Sequence, residues 1–160
     1  MRTFRIVFAF LLASSAATAE TLSGRVVGIS DGDTLTVLVD KRQVKVRING
    51  IDAPEKGQAF AERSKQNLSL MAFQKDARLE CHNDCPSCGQ TPDIGHAQII
   101  AGMAWWFRRY IKEQTPEDRG RYESSEEEAW LRKRGLWSDP QPIPPWEWRR
   151  LAWEKRDRSR

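Results

Sequence analysis

Past its first twenty residues this 160-residue chain has no apolar run long enough to span a bilayer. Neither sign of charge dominates: 26 Lys and Arg against 22 Asp and Glu leave a formal charge of +4. A bulk electrostatic pull on a polyanion is therefore not the basis of any binding reading. Histidine and cysteine are absent from positions 20–80, which removes the nitrogen and sulfur donors that zinc and copper favour from the first half of the chain. The 3 cysteines, Cys81, Cys85 and Cys88, all fall in one short stretch, and an odd number leaves one thiol unpaired or pairs two chains.

What is present begins with a leader. Arg2 and Arg5 precede the apolar run Ile6–Ala13, and Ala17-Thr18-Ala19 offers a small-residue cleavage site before Glu20. Residues 1–19 thus read as a signal peptide, with a periplasmic or secreted destination, an oxidising compartment, and no stable membrane association after cleavage. The remaining length suits one domain with a modest core.

Leu22–Ile29 reads as a strand. Thr34–Val39 and Val44–Ile51 are rich in β-branched residues and flank Asp40-Lys41-Arg42-Gln43, a hairpin signal. A turn near Lys41–Gln43 sets Asp33 opposite Asp52 and brings Arg47 and Glu55 to the same end of the ribbon. Gly32, between two carboxylates, would let the backbone approach a bound ion. Gln58–Phe73 carries Phe60, Ser64, Leu68 and Met71-Ala72 at helical spacing, and Asp76–Cys81 reads as a short strand.

Residues 82–93 are turn-rich and lack periodicity. Cys81, His82, Cys85, Cys88 and His96 there could hold a zinc ion; a local disulfide with one free thiol is the other reading, and a segment with no selected role the third. Ile94–Trp106 is predicted to be a helix, leading into the aromatic-basic run Trp105–Tyr110, whose tryptophans are read as core anchors in preference to base-stacking platforms. Lys112–Arg121 reads as a charged loop and Tyr122–Arg134 as a helix stopped by Gly135, with Glu126-Glu127-Glu128 on a solvated face. Trp137–Trp146 is a Pro-rich strap, and Glu147–Arg160 a basic segment with a short helix.

Asp33, Asp52 and Glu55 offer only hard oxygen donors, which suit calcium or magnesium. Arg47 offers a planar fork matched to phosphate. A metal to polarise a phosphate, a carboxylate to take a proton from water and a guanidinium to meet developing charge are the equipment for phosphodiester hydrolysis.

The string Asp-Gly-Asp-Thr-Leu-x-Val, nine residues, then Arg-Ile-x-x-Ile-Asp-x-Pro-Glu runs from Asp31 to Glu55. It resembles the signature of the staphylococcal nuclease (thermonuclease) family at every defined position. Gly57–Phe73 resembles the first family helix, and GMAWWFRRY and RGLWSDPQPIPPWEWRR resemble the later part of secreted bacterial members.

The resemblance implies a mainly β, α+β fold: an OB-type five-stranded barrel with packed helices over residues 20–140, followed by the strap and basic tail at 141–160. It implies a monomeric, calcium-dependent endonuclease acting on DNA and RNA. Carried over by position, Asp33, Asp52 and the main-chain carbonyl of Ala53 are the Ca2+ ligands. Asp31 lies in the outer shell, Glu55 is the general base, and Arg47 binds phosphate and stabilises the transition state. The family also has a second motif resembling Asp-Arg-Tyr-Gly-Arg, which ends in another catalytic arginine. Here no arginine occurs between Arg78 and Arg108, and HNDCPSCGQTP stands where that motif and part of the barrel belong. Two expectations follow: a barrel lacking a strand, and activity impaired by the missing arginine, which Arg119 or Arg121 is poorly placed to replace. The alternative is a catalytically weak or inactive nucleic-acid-binding module of the same fold.

Overall fold

Asp40 and Lys41 both have positive φ, 43° and 68°. Two such residues make a hairpin turn whose twist matches the strands on either side. The turn joins β2 (Thr34–Val39) to β3 (Arg42–Ile48), with Thr34 opposite Arg47 and Val39 opposite Arg42. The structure is a computed structural model that describes residues 21–81, 87–90 and 93–159. The leader, His82 and Cys85 lie outside the described residues.

β1 (Thr21–Ile29) pairs antiparallel with β2 on one edge and with β5 (Asp76–Cys81) on the other. A bulge between Val26 and Gly28 bends it between its two partners. β6 (Ser87–Gln90) lies antiparallel to β5 and parallel to β3, which closes the ring in the order β1-β2-β3-β6-β5. The barrel is therefore an OB-type barrel of five strands, and the expectation of a lost strand is corrected: the segment is shortened, not missing. β6 needs only the pairs Arg47–Ser87 and Ile48–Cys88 to seal β3, while Cys81 and Cys88 are Cα partners across β5 and β6.

Inward positions of these strands, Val26, Leu35, Val37, Val46, Ile48 and Leu79, fill the barrel. α1 (Ala61–Ala72) closes one side with the stripe Ala61, Ser64, Leu68 and Ala72. It begins three residues later than the periodicity predicts, because Phe60 takes a left-handed conformation ahead of it. α2 (Ile94–Ile100) is capped by Asp93, whose Oδ1 accepts the His96 N–H at 2.9 Å.

Three predicted elements differ. The helix expected over Ile94–Trp106 ends at Ile100, turns at Gly102 (φ 65°), and continues as the short strand β7 (Trp105–Trp106). β7 pairs antiparallel with β4 (Ile51–Asp52). Trp105 and Trp106 are buried there, as core anchors. The charged loop expected over Lys112–Arg121 is instead a 3-10 turn (Arg108–Glu113) and the start of α3 (Pro116–Leu131). Thr115 caps α3 by accepting the Asp118 N–H at 3.1 Å, with Pro116 at the first helical position and Glu117 and Asp118 in the first turn. Glu126, expected on a solvated face, is buried: it accepts the Trp106 N–H at 2.8 Å and pairs with Arg108 at 2.8 Å. Among the described residues β7 has a strand on one side only, which leaves that N–H without a sheet partner, and a carboxylate from α3 supplies one.

A second 3-10 turn (Gly135–Ser138) leads into the Pro-rich strap, and α4 (Pro145–Asp157) ends the described chain. No helix among the described residues is long and apolar enough to cross a membrane.

Candidate active site

Asp33 ends the turn before β2 and is buried, as is Asp52 in β4. They converge, but not as ladder partners. Since Thr34 opposes Arg47, Asp33 falls beside Ile48, whose N–H donates to the Asp33 main-chain carbonyl at 2.8 Å. The chain then turns at Gly50 (φ 77°) and returns through β4. That return lets the Ala53 N–H donate to Asp33 Oδ2 at 3.0 Å, which ties the strand carrying Asp52 to Asp33. Thr34 Oγ1 donates to Asp33 Oδ1 at 2.8 Å, and Asp31 Oδ1 accepts the Asp33 N–H at 3.1 Å.

Both carboxylates reach one nitrogen. Arg47 Nη2 lies 3.2 Å from Asp33 Oδ2 and 2.7 Å from Asp52 Oδ1. Burial pushes the Asp33 carboxyl up to about 7, against the opposing pull of Arg47 and of the Ala53 and Thr34 hydrogen bonds, with Asp31 adding to the rise. The glycine beside this group has a packing role. A Cβ on Gly32 would sit 1.8 Å from Ser64 Oγ and 2.8 Å from the Ala53 Cβ. Its missing Cβ makes room for Ser64 of α1.

Glu55 follows the Pro54 turn, and its N–H donates to Gln58 Oε1 at 2.9 Å. Its carboxylate is not directed at Asp33. It is paired with Arg149 of α4, which also grips Asp52 through Nη1–Oδ1 at 3.2 Å and Nη2–Oδ2 at 2.7 Å. Hydrogen bonds to Asp52, then to Glu55, hold the Arg149 guanidinium above its usual value, so it is a permanent cation. Asp52 is thus flanked by two guanidinium groups. Both line a cleft of about 350 Å³ whose wall also carries Asn49, Phe107, Arg109 and Tyr110.

Among the described residues no three carboxylate, imidazole or thiol groups gather into a set that would hold a metal ion by themselves. The two carboxylates on Arg47 come closest. His96 is directed elsewhere: its Nε2 is 2.8 Å from Ser125 Oγ and its ring stacks on Tyr122.

A family model described as staphylococcal nuclease homologue matches residues 45–139, more than half the chain. The chain belongs to the staphylococcal nuclease family. It is 39% identical over 166 residues to Protein ParB of Escherichia coli, an alignment covering 93% of this chain and 90% of the relative. It is 37% identical over 146 residues to a Micrococcal nuclease of Shigella flexneri, covering 81% of each. It is 38% identical over 144 residues to an uncharacterized endonuclease of Haemophilus influenzae, covering 85% of this chain and 78% of the relative.

Within this family frame, the structure brings together Asp33, Asp52, Arg47 and, through Arg149, Glu55; Ala53 enters through its N–H. Arg119 and Arg121 are engaged elsewhere, with the Gln114 carbonyl and with Asp93 and Asp118. Sequence reasoning did not single out Arg149, which it left within the basic segment Glu147–Arg160. The signal available was the strap itself. A segment with four prolines and three tryptophans just before a basic pair is built to dock, and docking fixes where the next helical turn points.

Proposed function

We propose that this chain is an exported, monomeric, calcium-dependent endonuclease that hydrolyses phosphodiester bonds in DNA and RNA. One observation carries the reading: two buried carboxylates meet on a single guanidinium nitrogen at the edge of a cleft whose lining includes Arg47, Arg109 and Arg149 beside one acid, Glu113. A position held by two carboxylates at once also suits a hard cation, and every side-chain donor there is oxygen. Asp33 and Asp52, with the Ala53 carbonyl, are the groups that would hold calcium. When bound, calcium supplies positive charge to the phosphate and orders water.

The chain's own residues do the rest. Arg47 turns its fork to the phosphate oxygens and meets the charge that develops on them. Glu55 accepts a proton as the water oxygen forms its bond to phosphorus. The bond from phosphorus to the leaving oxygen breaks, and that oxygen takes a proton from solvent. A carboxylate half-exposed on a turn has the access to water that this role requires.

The test is digestion of circular single-stranded DNA and of RNA by the mature chain, in calcium and in chelator. Cleavage of the circle in calcium alone, lost in Glu55→Gln and Asp33→Ala, is expected. Binding without cleavage under every divalent cation would leave the nucleic-acid-binding module in its place.

A further inference from the structure

We propose that Arg149, delivered by the C-terminal helix, is the second phosphate-binding guanidinium of this site. The consequence for turnover rests on the nuclease reading above; the contact with phosphate is tested separately from it.

The argument starts from anchorage. An exposed arginine on a terminal helix ordinarily contributes little, because its long side chain is disordered at the entropic cost of any one geometry. Arg149 differs because α4 and the strap that leads into it are held at several points. Trp146, one helical turn before Arg149, packs on Phe107 with ring centroids 5.7 Å apart. Trp148 lines a small pocket together with Phe60, Trp105 and Ile143. Gln58, buried under the Glu55 turn, donates to the Ile143 carbonyl of the strap and accepts the Glu55 N–H. The strap is therefore tied to the loop that carries Glu55, and the helix that follows it is tied to the wall that carries Phe107.

The second step is the fork. Arg149 meets Asp52 with two parallel N–H···O bonds, a geometry that a carboxylate and a phosphate share. Asp52 Oδ1 accepts from Arg47 and Arg149 at once, so the two guanidinium groups stand side by side, held together by the carboxylate between them. Like charges in contact are unfavourable unless an anion sits between them. Their side chains remain 47% and 41% exposed and both line the cleft. Two forks converging on one open cleft form a receptor for a tetrahedral anion with charge on several oxygens, such as a phosphodiester and the phosphorane derived from it. Arg150, the next residue, shows what an ordinary position on this helix looks like: it pairs with Glu147 and Glu154 along its own helix.

The experiment has two arms. In the first, Arg149→Ala, Arg149→Lys and Arg150→Ala are assayed on single-stranded DNA at saturating calcium, each first shown to melt cooperatively. Loss of one such cation at a phosphoryl transition state costs about 10³-fold or more. The expectation is a fall of that order in kcat for Arg149→Ala, with KM moved much less. Arg149→Lys should recover part of it, added methylguanidinium should partly rescue Arg149→Ala, and Arg150→Ala should match the native chain. Native or raised kcat in Arg149→Ala would overturn the proposal and make Arg149 a plug on the carboxylates instead.

In the second arm, a single-stranded oligodeoxynucleotide is titrated into Glu55→Gln with and without Arg149→Ala, by fluorescence anisotropy over a range of salt. Losing one phosphate contact should reduce the slope of log K against log salt by about 0.7. A merely structural arginine would leave the slope unchanged, and that result overturns the proposal. If the native chain cleaves nothing, the nuclease reading fails, while the salt slope still decides whether Arg149 meets phosphate.

Discussion

Arg149 and Asp52 are 97 positions apart and share two hydrogen bonds, at 3.2 and 2.7 Å. The closure is made by side chains and not by sheet: nothing in β4 reaches α4 through the backbone ladder. It depends on Gln58, which links the Glu55 turn to the strap.

Gln58→Ala should accordingly weaken function more than fold. A buried amide making two hydrogen bonds costs about 1–3 kcal/mol to remove, measurable by chemical denaturation. A misplacement of about an ångström in the groups around the reacting centre costs roughly 10²-fold. The expected kcat loss is of that size, and Arg149→Ala should cost much less in the Gln58→Ala background than in the native one. Fully additive losses would show that Gln58 does not act through the strap.

Asp33 makes the metal-free protein lose stability as pH rises. Its carboxyl is pushed from 3.8 up to about 7 by burial. Between those values the folded chain holds a proton that the unfolded chain has released. The contribution is fully present below about 4 and is lost as pH climbs through about 7. With roughly 1.4 kcal/mol for each pH unit of displacement, the window is worth a few kcal/mol. In chelator, the native chain should fall in stability from pH 4 to pH 7.5 relative to Asp33→Asn, which cannot titrate there. Parallel curves for the two proteins would refute the assignment.

The carboxylates were legible in the sequence because the signature is local: Asp31 to Glu55 lie on one hairpin and its exit. Even so, their meeting has a different cause from the predicted one. The register places Asp33 beside Ile48, and the Gly50 turn with the Ala53–Asp33 bond does the rest. Thr115-Pro116-Glu117-Asp118 is a helix start by every local criterion, and the density of charge around it hid that signal. The burial of Trp105 and Trp106 was legible, but their strand and the place of Arg149 were not. A two-residue strand has no periodicity to read, and the place of Arg149 is set by docking of a strap whose partners lie on the turn before α1 and on β7.

Glu126 should prove a fold residue and not a metal ligand. It is buried, accepts the Trp106 N–H at 2.8 Å and pairs with Arg108, whose guanidinium stacks 4.1 Å above the Trp106 ring. Glu126→Ala leaves a buried main-chain donor unpaired, at about 1–3 kcal/mol, and frees Arg108 as well. Glu126→Gln keeps an acceptor for the N–H and should lose clearly less. Calcium affinity, measured by calorimetry on whichever variants stay folded, should match that of the native chain. A selective loss of calcium binding in Glu126→Gln would count against this role.

Gly32→Ala tests whether the glycine between Asp31 and Asp33 serves packing. The added methyl would meet Ser64 Oγ at 1.8 Å, Ser64 Cβ at 2.8 Å and Ala53 Cβ at 2.8 Å. None of these is the free end of a flexible chain. Ser64 is fixed on α1 with its hydroxyl donating to the Met103 carbonyl at 2.6 Å, and the neighbouring Gln98 bonds both the Gly32 and Ser64 carbonyls. Overpacking of this kind costs about 1–3 kcal/mol or more. Ser64→Ala should relieve it only in part, since the Cβ contact remains. Ser64→Gly removes both Ser64 contacts, so Gly32→Ala should cost less in that background despite the glycine's own penalty in a helix of about 1 kcal/mol. The coupling between the two positions, read from a double-mutant cycle in denaturant, should be favourable by at least ~1 kcal/mol. Zero coupling would return Gly32 to its other reading, a close approach to a bound ion.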